Sequence, residues 1–255
     1  MRDDVNLEGW LASLERRHLA SLSRSELTRA LRALSSCYVE RRDKLTEGAA
    51  LEGAGKRAAF ALFYGPLHLL TIAEVVRALE ADRAPIERII DLGCGTGVGG
   101  AAWARACASA PALDGIDRNR WAVEEASWTW REFALHGRAR VGDVVRNYPG
   151  AAAPRSAVLL AYAVNELPPD ARRALLPKIE ASMRAGVPVL IVEAIALRDK
   201  AWWPEWSARL VAAGARADEW RFTAALPPIV RDLARGAGLD PRELTARTLY
   251  RKPGA

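Results

Sequence analysis

The chain has 255 residues, half of them hydrophobic and 27% charged, with 37 Lys and Arg against 31 Asp and Glu for a net charge of +6. That is an ordinary globular composition, long enough for one large domain or a core domain with a smaller companion. No uninterrupted apolar run reaches the roughly 18 residues of a membrane span, and the acidic start Met1-Arg2-Asp3-Asp4-Val5 lacks the apolar centre of a signal peptide. The expectation is a cytoplasmic protein with no membrane partner. Cys37, Cys94 and Cys107 have no C-x-x-C spacing and form neither a disulfide framework nor a zinc site; a reducing compartment suits them. Residues 196–255 hold 11 Lys and Arg against 7 Asp and Glu, so most of the charge excess lies in the last quarter. A mildly basic surface permits RNA or another anionic partner, but no dense Lys/Arg arm is present.

Residues 1–84 read as a helical region, placed as a lid or a substrate-facing layer. Leu7, Trp10, Leu11 and Leu14 recur at helical spacing. Ser23-Arg24-Ser25-Glu26 offers a capping box ahead of Leu27, Leu31 and Leu34. Glu47 to Gly55 is a connector, and Lys56 to Glu80 is an apolar helix that Gly65-Pro66 should kink or break. Phe60, Phe63, Tyr64 and His68 share that helix. They are read first as packing residues, with Tyr64 also a candidate to close over a cofactor and His68 a possible base.

From residue 85 to the end, strand and helix alternate, which argues for a parallel sheet in an α/β domain. Strands are expected at Ile89–Leu92, Ala112–Asp117, Arg138–Asp143, Ala157–Tyr162 and Val187–Glu193, with helices between them over 98–109, 119–136 and 170–184. Glu219–Thr223 and Leu244–Arg251 read as two last strands, an antiparallel pair at the sheet edge, joined through Pro227-Pro228 and Gly236 to Pro241. Trp202, Trp203 and Trp206 open a helix after the fifth strand, packing it onto the sheet or, alternatively, forming a platform for a flat ligand.

The densest signal is Ile89-Ile90-Asp91-Leu92-Gly93-Cys94-Gly95-Thr96-Gly97. An apolar strand runs into a glycine loop, and a helix follows. Glycines let the backbone approach a ligand, and the helix start aims N–H groups at it. Gly95 to Gly100 fits G-x-G-x-x-G, the dinucleotide fingerprint. The other frame begins with a carboxylate, Asp91, followed by Gly93, Gly95 and Gly97. A carboxylate there repels a pyrophosphate but suits a ligand with an ammonium group and a cationic sulfur, such as S-adenosylmethionine. Cys94 and Thr96 complete that loop, with Cys94 read as packing. Asp117 lies 20 residues after Gly97 at the end of the second strand, where an acid can accept from ribose hydroxyls; it could instead cap the next helix, beside Arg118.

The run D-L-G-C-G-T-G at 91–97 resembles motif I of class I S-adenosylmethionine-dependent methyltransferases. The resemblance implies a Rossmann-like fold across 85–252 with strand order 3-2-1-4-5-7-6. It implies S-adenosylmethionine as cofactor, and a role for Asp143 in binding the adenine amino group. Val144, Ala161 and Arg118 complete the expected cofactor lining. Leu160-Ala161-Tyr162-Ala163-Val164-Asn165-Glu166-Leu167-Pro168 resembles the A-Y-x-x-N-E-L run of the mitochondrial ribosomal small-subunit methyltransferase-like family. The metal-binding cysteines of that family are missing here, so no metal is implied.

Open parallel sheets place chemistry outside the carboxyl ends of their strands, which puts Tyr162, Asn165 and Glu166 at the catalytic edge. Asn165 and Glu166 could equally cap the next helix. The methyl acceptor is RNA or a small molecule, and a non-catalytic scaffold that keeps the cofactor fold is the remaining reading.

Overall fold

A computed structural model describes residues 2–20, 22–40, 51–149, 155–195, 201–223 and 225–253. The connector read over 47–55 lies partly outside them. The chain divides into two compact units, Met1–Leu70 with Thr223–Leu244, and Thr71–Phe222 with Thr245–Ala255. These bounds differ from a cut at residue 84, because contacts between residues distant in sequence decide them.

The first unit is helical. α1 (Arg2–Leu19) and α2 (Arg24–Glu40) are joined at the expected capping box. Ser23 Oγ accepts from Glu26 N–H at 3.3 Å, and Ser23 N–H donates to the Glu26 carboxylate at 2.9 Å. The Ser23 hydroxyl, followed by its N–H, holds the Glu26 carboxyl below its ordinary range. Trp10, Leu14, Leu27, Leu31 and Leu34 are all buried. α3 (Ala54–Ala59) widens into a π-helical turn at Phe60–Tyr64 and continues as α4 (Gly65–Ala78).

Of the kink or break expected at Gly65-Pro66, no break occurs: the helix runs on through a π turn just before it. The extra residue of the π turn carries the chain past a side chain that would clash with the carbonyl four residues back. The result is one helix from Ala54 to Ala78 that is long and apolar enough, by length and composition, to cross a membrane. It contains no uninterrupted apolar run of that length, because Lys56, Arg57, His68, Glu74 and Arg77 punctuate it. Most of its apolar window is buried inside the protein, as in any core helix.

A further helix, α9 (Pro228–Ala237), belongs to this unit although it lies between the last two strands in sequence. Its Ile229, Val230, Leu233 and Ala234 are buried. Arg24 of α2 meets its Asp232 at 3.3 Å, and a Cβ on Gly236 would lie 3.0 Å from Thr28.

The second unit is a seven-stranded sheet in the order β3-β2-β1-β4-β5-β7-β6, matching the order the resemblance implied. The strands are β1 (Arg88–Leu92), β2 (Ala112–Asp117), β3 (Gly137–Val141), β4 (Ser156–Ala161), β5 (Val189–Glu193), β6 (Arg216–Phe222) and β7 (Leu244–Arg251). The first five pair in parallel, and β7 runs antiparallel to β5, with Glu193 opposite Arg247. β4 and β5 are apolar and buried nearly throughout, as strands covered on both faces must be. Helices α5 (Val98–Ala106), α6 (Arg120–Glu132), α7 (Pro169–Arg184) and α8 (Trp203–Ala212) connect them. α6 stops short of His136 because Ala134 takes a left-handed conformation and Leu135 N–H closes onto Trp130 O at 2.8 Å.

The tryptophans after β5 are mainly core. Trp202 is 7% and Trp206 2% exposed, and their rings meet edge to face at 5.2 Å. Trp130 of α6 reaches under the sheet because β2 has a glycine there. A Cβ on Gly115 would lie 2.6 Å from the Trp130 ring and 2.9 Å from Cys94 Sγ. Gly115→Ala should therefore destabilise the protein by about 1–3 kcal/mol through overpacking, read as a lowered midpoint in urea unfolding; an unchanged midpoint would mean Trp130 can move aside.

Candidate functional site

The end of β1 and the start of α5 build a loop whose shape is set by three glycines. Gly93, Gly95 and Gly97 have φ of 74°, 51° and 79°, conformations that disfavour other residues. A side chain on Gly93 would strike Ala163, and one on Gly97 would strike Ala126 and Trp130, each within 3 Å. Gly95 is different: nothing lies within 4 Å of where its Cβ would be. The loop is thus packed on two sides and open at its centre.

Hydrogen bonds pin it. Gly93 and Cys94 N–H donate to Ile116 O at 2.8 and 3.1 Å. Gly95 N–H donates to Asp117 Oδ2 at 2.9 Å, and Trp130 Nε1–H donates to Gly97 O at 2.8 Å. Burial pushes the Cys94 thiol well up, in keeping with packing. Thr96 is 3% exposed, and its buried hydroxyl has no hydrogen-bond partner among the described residues.

Asp117 is not the cap of α6. Asn119 caps it, accepting from Ala122 N–H at 3.3 Å. Asp117 Oδ1 takes Asn119 N–H at 2.8 Å and Oδ2 takes Gly95 N–H. These bonds, with a backbone contribution from Arg118, use part of the roughly four lone-pair sites of a carboxylate. Burial raises its carboxyl above the ordinary range, partly offset by these N–H groups and Arg118.

Asp91 is 1% exposed and braces the loop from beneath: its Oδ2 accepts from Gly100 N–H in the first turn of α5 at 2.9 Å. Burial, opposed by that bond and assisted by the nearby Asp117 charge, lifts its pKa to about 7.

Asp143 follows Gly142, whose N–H donates to Asp117 O at 2.9 Å, so the two acids stand at neighbouring strand ends. Asp143 is exposed, and its Oδ1 caps its own loop, accepting from Val145 and Arg146 N–H at 3.0 and 2.9 Å. Val144 is buried in the sheet core, and Ala161 lies against α5, 3.3 Å from where a Gly99 Cβ would be. Tyr64 belongs to the helical unit, where its ring lies 5.2–6.0 Å from those of Phe60, Phe63 and His68. Burial pushes its phenol up, and the Ser35 hydroxyl partly offsets this. His68 is lowered by burial to about 4, so it is neutral at physiological pH.

The loop after β4 meets the glycine loop at the Ala163–Gly93 contact. Tyr162 has φ 56°, a left-handed backbone uncommon outside glycine. Burial raises its phenol far above the usual range, against a hydrogen bond with Thr71 and with the Glu193 charge adding to the rise, which makes it a poor base. Asn165 N–H donates to Glu193 Oε1 at 3.1 Å, and its Oδ1 accepts from Trp202 Nε1–H at 3.4 Å. Glu166 is exposed at the end of the short turn Val164–Glu166. Glu193 is 1% exposed and was not singled out from sequence; the available signal was an acid closing an otherwise apolar buried strand. Arg247, opposite it on β7, is also buried, with its guanidinium 5.0 Å over the Trp203 ring.

Residues 74–153 match the family model of the methyltransferase small domain. The match spans 80 of the 255 residues, all of them within the sheet unit. S-adenosylmethionine is the cofactor of that family. Among solved structures, mitomycin 7-O-methyltransferase MmcR is similar at a TM-score of 0.55 and 16% identity over 96% of this chain and 72% of that one. An O-methyltransferase family protein from Burkholderia thailandensis is similar at 0.53 and 16%, over 81% and 62%. Magnesium protoporphyrin IX methyltransferase from Synechocystis PCC 6803 with bound SAM gives 0.49 and 15%, over 92% and 99%. At these identities the likeness of the first two establishes the class I methyltransferase fold. No curated protein matches the sequence.

A carboxyl raised from 3.8 to about 7 holds its proton longer folded than unfolded. Stability from that proton is full below pH 4 and is lost as pH rises through 7. Asp91→Asn, which mimics the protonated form, should gain in melting temperature over the natural protein by more at pH 8 than at pH 5. An equal difference at both pH values would place the Asp91 titration elsewhere.

Proposed function

We propose that the chain transfers a methyl group from S-adenosylmethionine to RNA. The observation that carries the cofactor half is the tie between Asp117 and Gly95. It leaves carboxylate lone pairs unspent beside a backbone loop that is open at one glycine. The buried, unsatisfied Thr96 hydroxyl fits a ligand at the same loop. Asp117 would accept from ribose hydroxyls, Gly95 and Thr96 would line the cofactor, and Asp143 would stand toward its adenine. Asp91 acts through α5 and the loop and has no open face of its own.

The bound cofactor supplies an electrophilic methyl on a sulfonium. This chain's own part is to hold the acceptor in line with it, the contribution that dominates a direct displacement. Asn165 is fixed from two sides, by Glu193 and Trp202, and is suited to orienting an acceptor. Glu166 is solvent-accessible and able to receive a proton if the acceptor must lose one. The RNA half is supported by the A-Y-x-x-N-E-L run at 161–167 and by the surplus of cations after residue 196. A second reading, transfer to a small molecule, is favoured by the alignment with the mitomycin methyltransferase, which spans 96% of this chain.

Asp117→Ala should weaken S-adenosylmethionine binding in calorimetry by roughly 1–3 kcal/mol, the range for a lost charge-assisted bond. Unchanged affinity would remove Asp117 from the cofactor site. Asn165→Ala should lower incorporation of labelled methyl into total RNA at unchanged cofactor affinity. Labelling of small-molecule extracts with none in RNA would select the second reading.

A further inference from the structure

The helical unit contains a cleft of about 620 Å³ between α9 and the chain on both sides of it. Three arginines line it, Arg231 and Arg235 of α9 and Arg242 beyond it, with one acid, Asp240, and apolar Leu226 and Leu239 among the rest. Arg231 and Arg235 are one helical turn apart, so their side chains project from neighbouring positions on one face. Ile229, Val230 and Leu233 of α9 are buried and line no part of the cleft. None of the three arginines is needed for that packing.

Their present partners hold them weakly. Arg235 is 80% exposed and lies 3.7 Å from Asp232, a carboxylate also taken by Arg24 of α2 at 3.3 Å. Arg242 is 84% exposed and pairs with Asp240 at 2.5 Å. Arg231 Nη1 donates to Leu226 O at 2.6 Å, which fixes its guanidinium within the cleft. Ion pairs this exposed contribute little, so a phosphate can replace them at small cost. Guanidinium forks match phosphate oxygens two at a time.

We propose that this cleft binds the phosphate backbone of RNA, an inference that deepens the RNA reading above and locates one of its contact surfaces. A concave site in which arginines alternate with Leu226, Leu239 and Pro241 suits phosphates flanked by ribose and base. A lipid surface would call for large exposed apolar side chains. Among the described residues those are Val141 and Val211, neither of them in the helical unit.

The test uses the full chain and a fluorescein-labelled single-stranded RNA of about 20 nucleotides, followed by anisotropy across a salt series. A triple variant, Arg231→Gln, Arg235→Gln and Arg242→Gln, keeps a donor for Leu226 O. Three lost phosphate contacts should flatten the slope of log affinity against log salt by about 2 for a single strand. S-adenosylmethionine affinity should be unchanged, which verifies folding. An unaltered slope in the triple variant, or binding of the natural protein to phosphatidylglycerol vesicles but not to RNA, would overturn the proposal. RNA bound through the cleft with no methyl incorporated would uphold it while removing the RNA-acceptor reading. RNA methylated by a triple variant of unaltered slope would do the reverse.

Discussion

The hydrogen bond from Gly95 N–H to the Asp117 carboxylate joins the two chain segments that make the candidate site. It crosses from the loop after β1 to the end of β2 and fixes the height of the loop over the sheet. The neighbouring bonds from Gly93 and Cys94 to Ile116 O would hold the loop against β2 without orienting its centre. Asp117 does both, and it keeps acceptor capacity on the open side. A buried carboxylate is costly to desolvate, and here the backbone donors offset part of that cost.

The loop can sit so close only because its surroundings are trimmed to fit. Trp130 spans from α6 to Gly97 O and rests on Gly115, where a methyl group would not fit. On the other side Ala163 leaves just enough room for Gly93. The same contact hands the geometry on to the turn after β4, where Glu193 takes the N–H of Asn165. The glycine loop and the turn after β4 are therefore mechanically continuous through small residues. Substitutions at Gly115 or Ala163 bear on both.

Much of this could be read in the sequence because it depends on local chemistry. The acid-glycine run, the capping box at Ser23–Glu26 and the apolar strands β4 and β5 declare themselves within a few residues. What stayed hidden depends on partners distant in the chain. Pro66 signals a break, but the π turn at Phe60–Tyr64 absorbs it. α9 starts at a pair of prolines and lies between strands, and only its contacts with α2 and with the π turn at Phe60–Tyr64 assign it to the helical unit. Asp91 carries the motif, yet its side chain faces α5. Glu193 ends a strand without any motif around it, and its role depends on where Asn165 falls. The spacing after Gly97 favours a ligand role for Asp117, and what rules out the cap is Asn119, whose side chain takes the capping bond.

The edges of the sheet bear on how the protein behaves in a crowded solution. β3 ends one side and is exposed along most of its length, with Arg138 and Arg140 on it; β6 ends the other side and carries Arg216 and Arg221. Bare strand edges invite a second copy to dock and extend the ladder; charged side chains along both margins, the arginines of β3 and the mixed Arg216, Asp218, Glu219 and Arg221 of β6, make such stacking unfavourable. The arrangement lets the parallel core stay rich in valine, leucine and isoleucine without seeding fibrils.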